Sequence, residues 1–277
     1  MRIERGGRLR PALPVLAEGP GWLVVAKPPR TLVHRTALEP RALAALQIVR
    51  GMVGRRVYPI HRLDRPASGC LLFATDAALA GPLSAALAAG QKEYLAFVRG
   101  AARWEGVRRV ETPMKDPLGT LKQACSDVAV LGASDEPRCA LLRVWPRTGR
   151  FHQVRRHCRD LGHPLVGDTA HGDSRVNRWW RENGGVTRLG LHAARLCLPA
   201  PGGGEIVAEC PLFDDQADAF ARLPFWSAAI DAWPLLGRSP LPIPDWGPAP
   251  RATTPDEAAA AAEDTADDGA AALPEDA

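Results

Sequence analysis

Hydrophobic residues occur along the chain in short runs separated by glycine, proline and charged residues. Short apolar or alternating runs predict β-strands, because side chains alternate between the two faces of a strand. The irregular stretch 101–140 predicts further short strands joined by loops. The clearer runs lie at 22–26, 57–60, 70–75, 93–99, 141–145, 189–198 and 205–210.

Four stretches have apolar residues at helical spacing, at 40–50, 76–90, 152–161 and 214–222. In the second stretch Asp76 is a suitable N-cap, although Pro82 allows a start one turn later. In the third stretch, three arginines lie off the apolar face and predict a solvated surface: Arg155, Arg156 and Arg159.

This order of elements predicts a mixed α/β domain with an extended, mostly antiparallel mixed sheet and flanking helices. The 277 residues fit one large domain with polar ends. We expect a basic N-terminal arm at 1–15, a folded domain at 16–235, and a tail at 236–277. The tail is Pro-rich and then acidic and Ala-rich, a composition typical of disorder.

The positive charge is concentrated in the body of the chain. The whole chain carries +4, but residues 251–277 hold one Arg against eight Asp and Glu, a net of −7, so residues 1–250 carry +11. Such a body suits a polyanion such as nucleic acid, although a solvated basic surface has the same composition.

Several protein classes are disfavoured by missing patterns. The sequence has no apolar run of membrane-spanning length and no secretory signal at its start. Its six cysteines show neither a C-x-x-C pair nor zinc-site spacing, and it has no Walker or Rossmann glycine motif. We therefore expect a cytoplasmic monomer that uses neither a metal nor a nucleotide cofactor.

The most informative stretch is 61–69, which reads H-R-L-D-R-P-A-S-G and connects two predicted strands. Asp64 lies between Arg62 and Arg65, and nearby guanidinium groups favour the charged form of a carboxylate. An ionised carboxylate can act as a nucleophile. The same pattern also fits a surface salt bridge on a strand connection.

This stretch closely resembles the H-R-L-D-x-x-T-S-G signature of the RluA-type pseudouridine synthases, with Ala67 in place of Thr. Three further blocks follow that family's order, and the resemblance spans roughly residues 16–235. Block 22–35 resembles its opening L-V-V-x-K-P motif, with Arg30 in place of Gly. Block 91–100 resembles K-x-Y-x-A-x-V-x-G, and block 148–157, extended by 161–168, resembles T-G-R-x-H-Q-x-R-x-H.

The resemblance implies an isomerase that breaks the N1–C1′ bond of a uridine and reattaches the base through C5. Asp64 would be the catalytic carboxylate, acting either as a nucleophile or as a base at C2′. Tyr94 would stack on the uracil and help in removing the C5 proton, and Arg155 would hold Asp64 ionised and aimed. Without the resemblance, Tyr94 fits a half-buried strand position and Arg155 a solvated helix face.

The resemblance also implies base flipping, since a stacked uridine cannot reach Asp64. Arg62 would fill the vacated space as a wedge, or it would simply pair with Asp64. Other positions expected to contact RNA are Arg65, Lys92, Arg150, His152, Arg156, Arg175 and Arg178. The fold implied by the resemblance has a central RNA-binding cleft.

Segment 167–178 narrows the resemblance, because His171 stands where most RluA-type enzymes have Tyr. The string H-G-D-x-R-x-N-R at 171–178 is similar to the tRNA pseudouridine synthase C branch, which acts on uridine 65 in the T-stem of tRNA. Two alternatives stay open at this point. They are a ribosomal RNA pseudouridine synthase of the same fold and a non-catalytic RNA-binding module.

Overall fold

The computed structural model of the protein describes residues 2–3, 9–37 and 39–246. Within them, fourteen strands alternate with six α-helices. The strands are β1 (Arg2–Ile3), β2 (Leu9–Arg10), β3 (Val15–Gly19), β4 (Trp22–Lys27), β5 (Tyr58–Pro59), β6 (Ser68–Ala74), β7 (Gln91–Arg99), β8 (Val107–Val110), β9 (Met114–Lys115), β10 (Leu121–Lys122), β11 (Ser126–Asp135), β12 (Arg138–Pro146), β13 (Leu191–Pro199) and β14 (Glu205–Glu209). The helices are α1 (Ala45–Val53), α2 (Ala80–Ala89), α3 (Gln153–Asp160), α4 (Ser174–Asn183), α5 (Asp214–Phe220) and α6 (Trp226–Ala232).

Ten of the strands form one mixed sheet, with the main order β3-β4-β6-β13-β7-β12-β11-β8. Strand β14 pairs with β13, and β5 pairs with β6. The β6–β13 pairing is parallel, whereas the other pairings in this sheet are antiparallel. The predicted mixed α/β class with an extended, mostly antiparallel sheet is therefore confirmed.

Two helices were not predicted by the apolar pattern. Helix α4 begins within the 167–178 segment and runs to Asn183, and its many polar residues leave only Asn177 and Trp180 buried. Helix α6 follows a proline and is only seven residues long. Helix α1 ends later than predicted, because the left-handed residue that terminates it is Gly54 and not Gly51.

The middle of the sheet positions the sequence blocks that carry the family resemblance. Every residue of β6 is buried, so this strand is fixed through the core and the 61–67 loop enters it directly. Strand β7 pairs with β12 on one side and β13 on the other, which buries most of its length. Helix α3 follows β12 after a short turn. These three elements bring residues that are distant in sequence to one region.

The chain continues to contact the domain beyond the predicted boundary at 235. Leu241 forms a β-bridge with Phe213, and Trp246 packs against the cluster that covers α1. Residues 247–277, which hold most of the predicted tail, lie outside the described residues. The domain limits therefore stay predictions. In the described part of the chain, no helix has both the length and the apolar character to cross a membrane.

Candidate active site

A cavity of about 610 Å³ opens where the 60–67 loop, strand β7 and the turn into helix α3 meet. We call it the central cavity. Asp64, Tyr94 and Arg155 all line it, although they come from three separate blocks of sequence. The three residues to which the sequence assigns catalytic roles therefore lie together around one space.

Asp64 and Arg155 form a direct ion pair. Arg155 Nη1 donates a hydrogen bond to Asp64 Oδ2 at 2.7 Å. The same guanidinium donates from Nε and Nη2 to the two carboxylate oxygens of Asp168, at 2.8 Å each. Arg155 is thus held between two carboxylates, of which Asp64 faces the cavity and Asp168 is fully buried. This fork geometry fixes where the guanidinium points.

Arg155 is 6 % exposed, which excludes the alternative of a solvated helix-face residue. Burial alone would disfavour the charge, but the hydrogen bonds that Arg155 donates to Asp168 and Asp64 raise the pKa of Arg155. Likewise burial opposes the charge of Asp168, and the Arg155 bonds nevertheless hold the pKa of Asp168 below its ordinary value. The carboxylates of Asp64 and Asp168 compensate the charge of Arg155 and so allow its burial, which helical periodicity does not predict.

Asp168 has no assigned role in the sequence analysis, although it ends the 161–168 block. Its Oδ1 also accepts the backbone N–H groups of Ala170 and His171, at 2.9 Å each. The Asn177 side chain donates to the Asp168 carbonyl at 2.8 Å and accepts the Gly167 N–H at 2.7 Å. Part of the 171–178 string therefore has a structural role, because Asn177 fixes the loop that carries Asp168.

Tyr94 and Lys92 are alternate residues of β7 and both line the central cavity. Burial, followed by the negative charge of Asp64, raises the pKa of Tyr94. Burial lowers the pKa of Lys92. The phenol is therefore neutral at physiological pH, and the sheet supplies the cavity with a flat aromatic side chain close enough to Asp64 to sense its charge.

His152 lies beside the carboxylate at the start of α3, in a left-handed conformation with φ 54°. Its Nε2 is 3.7 Å from Asp64 Oδ2, and its Nδ1 is 3.0 Å from His171 Nε2. The ring stacks on Phe151 with a centroid separation of 3.8 Å. Burial lowers the pKa of His152 to about 4, so a neutral imidazole adjoins Asp64.

His61 stabilises the start of the 60–67 loop. Its Nε2 accepts the backbone N–H of Leu72 at 3.1 Å, which ties the start of the loop to β6. Burial, with the nearby Lys92 charge, lowers the pKa of His61 to about 3. The imidazole is therefore neutral and keeps the lone pair that this hydrogen bond requires.

Lys27 also holds the loop, and the sequence analysis gives it no role. It is fully buried at the end of β4. Its Nζ donates to the carbonyls of Ala67 at 2.7 Å, Thr31 at 2.8 Å, Pro28 at 3.0 Å and Arg65 at 3.3 Å. Burial lowers the pKa of Lys27 to about 7. The signal in the sequence is its place as the lysine of the L-V-V-x-K-P motif, at the end of an apolar strand.

Three of the predicted RNA-contact arginines surround the cavity entrance or lie near it. Arg62 is exposed and lines the cavity, and among the described residues the arginine that pairs with Asp64 is Arg155 instead. Arg150 also lines the cavity and donates to the Gln123 carbonyl at 3.0 Å. Arg156 lies outside the lining and donates to the Lys115 carbonyl at 3.0 Å.

The remaining three arginines lie away from the cavity. Arg65 pairs with Glu39 and donates to the Arg30 carbonyl at 3.3 Å, so it braces the neighbouring loop. Arg175 and Arg178 are exposed on α4. None of the three contributes to the cavity lining. Their proposed contacts with RNA stay predictions.

The arrangement favours chemistry that starts from one ionised carboxylate. The Arg155 guanidinium and the neutral His152 ring both approach Oδ2 of Asp64, which leaves Oδ1 without an ion-pair partner among the described residues. A buried guanidinium fixes the carboxylate, and neutral aromatic groups surround it. In the described part of the chain, no group of three His, Cys, Asp or Glu side chains is placed to hold a metal ion.

Known proteins resemble this chain over most of its length. The family model described as RNA pseudouridylate synthase matches residues 21–160. A relative from Pasteurella multocida named tRNA pseudouridine synthase C is 37% identical, covering 74% of this chain and 93% of the relative. A Yersinia pestis relative of the same name is 34% identical, covering 80% and 93%.

A solved structure, Human RNA Pseudouridylate Synthase Domain Containing 1, shares the fold with a TM-score of 0.58 and 24% identity. The alignment covers 84% of this chain and 97% of the human one. The matched residues 21–160 include Lys27, Asp64, Tyr94 and Arg155, so the cavity lies within the family's defining region. The chain belongs to the RNA pseudouridylate synthase family, whose members are isomerases that convert uridine in RNA to pseudouridine.

Proposed function

We propose that the protein converts uridine 65 in the T-stem of tRNA to pseudouridine, with Asp64 as the catalytic carboxylate. The observation that carries the proposal is the Arg155–Asp64 ion pair of 2.7 Å inside a cavity of about 610 Å³. The cavity is large enough for a single flipped nucleoside and positions its carboxylate through a buried arginine. No redox change, hydrolysis or group donor is needed, because the product is an isomer of the substrate.

The proposed reaction begins when Asp64 attacks C1′ or removes the proton at C2′, either of which breaks the N1–C1′ bond. The freed uracil turns within the cavity, and C5 bonds to C1′. In the first route the Asp64–C1′ bond breaks at this point, and in the second route Asp64 returns its proton to C2′. The C5 proton then leaves, and N1 ends with a proton, so atoms and charge balance. Tyr94 stacks on the uracil during this turn and helps to transfer the C5 proton, since its neutral phenol lies beside the carboxylate.

The proposed substrate rests on two observations. Relatives that are 34% and 37% identical are named tRNA pseudouridine synthase C, and the 171–178 string resembles that branch. His171 from that string contacts His152, and His152 contacts Asp64. The segment that resembles the tRNA branch therefore reaches the reacting carboxylate through one intervening side chain. A ribosomal RNA substrate is the main competing possibility and is one outcome of the test below.

The substrate test uses three RNAs with the purified protein: a tRNA transcript with uridine 65, the same transcript with cytidine 65, and fragments of ribosomal RNA. We expect pseudouridine only in the first, mapped at position 65. Modification of the cytidine 65 transcript at another uridine would contradict the proposed position. Modification of ribosomal RNA alone would contradict the proposed substrate and leave the isomerase assignment intact.

The carboxylate test is Asp64→Asn. We expect single-turnover pseudouridine formation to fall about a thousandfold or more, since the amide keeps the shape but cannot attack or take a proton. The dissociation constant for tRNA should stay within about threefold, because the charge lost is one of many at the interface. A variant that keeps its rate per bound RNA would contradict the assigned role, and a melting curve controls for folding.

A further inference from the structure

The face of the sheet opposite Tyr94 carries a second charged groove. Side chains alternate along β7, so Glu93 and Tyr94 lie on opposite faces. Helices α4–α6 cover one part of the Glu93 face, where Phe97 belongs to their hydrophobic cluster. The uncovered part forms a groove of about 370 Å³ lined by Gln91, Glu93, Val107, Asp127, Arg143, Trp145, Arg147 and Arg195.

Arginines outnumber carboxylates in this groove. The Glu93 side chain is 2% exposed and is paired with both Arg143 and Arg195. The Asp127 side chain is 8% exposed and is paired with Arg109 at 2.9 Å and Arg147 at 2.8 Å. We call these four arginines, with Glu93 and Asp127, the arginine face. Arg195 also pairs with Glu209 at 3.3 Å, and Glu209 pairs in turn with Arg238. With these two neighbours included, five guanidinium groups face three carboxylates, which leaves a net charge of +2.

The carboxylates also fix the arginines in place. Arg143 stacks on Trp145 and on Trp233, with its Cζ 5.0 Å and 4.4 Å from the ring centroids. Arg109 uses Nε and Nη2 for Asp127, and its side chain remains 60% exposed. Pairing with a buried carboxylate lowers the conformational entropy that such long side chains would lose on binding a ligand. The arginine face therefore presents oriented N–H groups and surplus positive charge to solvent.

The arginine face is continuous with the central cavity. Arg147 belongs to the lining of both spaces, and its side chain is 47% exposed. A polyanion that enters the cavity can therefore extend past the end of β12 while it stays in contact with Arg147. Phosphate groups recur along a nucleic-acid strand, and arginine binds them through paired N–H donors.

We propose that the arginine face is a second RNA-contact surface, which binds the phosphate backbone of a part of the substrate beyond the stem that holds the target uridine. This proposal rests on the proposed tRNA function. It assigns the arginine face to affinity and selection of the whole folded RNA, and it leaves the chemistry to the central cavity.

The test is the double variant Arg109→Gln with Arg195→Gln, which removes two charges outside the cavity lining. The single control is Arg103→Gln, which removes an arginine that pairs with Asp135 elsewhere on the surface and whose exposed fraction (64%) is close to that of Arg109 (60%). Each protein is titrated with full-length tRNA and with a short hairpin of the target stem alone, at several salt concentrations. Rates are also measured at saturating RNA.

For the double variant we expect about tenfold weaker binding of full-length tRNA, and a salt dependence with a slope smaller by about 1.5 to 2. Hairpin binding and the rate at saturation should match the wild type, and the control should match it with both RNAs. Unchanged binding of full-length tRNA would overturn the proposal and make the arginine face a purely structural network. An equal loss on the hairpin would also overturn it, since the contact would then lie on the target stem itself.

Folding and substrate identity are separated by two further measurements. If the double variant melts early, Arg109→Gln alone is used, because this side chain is mostly exposed; about threefold weaker tRNA binding is then expected. If the wild type does not modify tRNA, the proposed function and this inference both fail. If the wild type modifies tRNA and the variants bind it normally, only the inference fails.

Discussion

The two faces of strand β7 hold charges in opposite proportions. On the Tyr94 face, one guanidinium, that of Arg155, is shared by the carboxylates of Asp64 and Asp168. On the Glu93 face, one carboxylate is shared by Arg143 and Arg195. Around Arg155 two carboxylates share one guanidinium, whereas around Glu93 two guanidinium groups share one carboxylate, and the two arrangements start from neighbouring residues of β7.

This difference separates reactivity from attraction. A carboxylate enclosed by several arginines is stabilised so strongly that it becomes a poor nucleophile, whereas one arginine shared with Asp168 aims Asp64 and leaves one of its oxygens without an ion-pair partner among the described residues. Phosphate, in contrast, is attracted by surplus guanidinium charge. The ratio of arginine to carboxylate thus predicts which face reacts and which face binds.

The largest effect among the tests of this comparison is expected from Asp168→Asn, which removes the second carboxylate from Arg155. Arg155 would lose one of its two fixed partners and would hold Asp64 less accurately. We expect the rate at saturating RNA to fall about 10- to 100-fold, since small errors in position reduce catalysis by such factors. Single-turnover assays measure the rate, and filter binding measures affinity.

The affinity for tRNA should change little in this variant, because Asp168 is fully buried. A loss of affinity with an unchanged rate would break the comparison, since Asp168 would then act on binding. Asn177→Ala offers a related, milder change, because it removes the side chain that holds the Asp168 carbonyl. A thermal melting curve for each variant excludes simple unfolding.

A smaller effect is expected from Arg62→Ala, which tests an arginine on the cavity side that has no carboxylate partner among the described residues. If Arg62 is a wedge, its loss should slow the reaction about tenfold more on a base-paired uridine than on the same uridine in an unpaired strand. The base-paired substrate carries the full cost of unstacking. Equal losses on both RNAs would instead assign Arg62 to the electrostatics of Asp64.

The smallest effect is expected from pH and concerns stability. The imidazoles near the cavity are neutral and can be protonated at low pH, whereas the guanidinium groups of the arginine face stay charged. The folded pKa of His61 is about 3 against 6.5 in the unfolded chain, so the unfolded state binds the proton first as pH falls. This stability is fully present above pH 6.5 and is lost towards pH 3, by about 1–2 kcal/mol at pH 5.

The variant His61→Gln keeps a hydrogen-bond acceptor for the Leu72 N–H but does not titrate. Urea unfolding at pH 7 and pH 5 should therefore show a stability loss that is smaller in the variant by about 1–2 kcal/mol. An identical pH dependence in both proteins would show that protonation of His61 is not coupled to unfolding.

The sequence predicts the strands of the central sheet well, because buried strands have nearly continuous apolar runs. The bounds of these runs lie close to the observed bounds of the strands. It also identifies Asp64 and Tyr94 through the resemblance. The resemblance also identifies Arg155, whereas helical periodicity alone scores an arginine as solvated and cannot register a buried carboxylate 13 residues later.

The arginine face shows the same limit. Glu93, Asp127 and Arg143 look like ordinary polar positions on alternating strands, and only the pairing of β7, β12 and β11 brings them together. Helix α4 is not predicted for a related reason, because the 171–178 string is interpreted as a family motif and not as the start of a helix. Local patterns specify local structure, whereas charge balance depends on pairings between distant segments.

Lys27 has a consequence for how natural variation in this enzyme should be interpreted. By its position it is a core residue at the end of β4, remote in sequence from the 61–69 signature. By its contacts it belongs to the loop that bears Asp64, since it binds the Arg65 and Ala67 carbonyls. Substitutions of Lys27 that leave the fold intact would therefore reduce activity. A survey of variants that considers only residues near the 61–69 signature in sequence would overlook the cause.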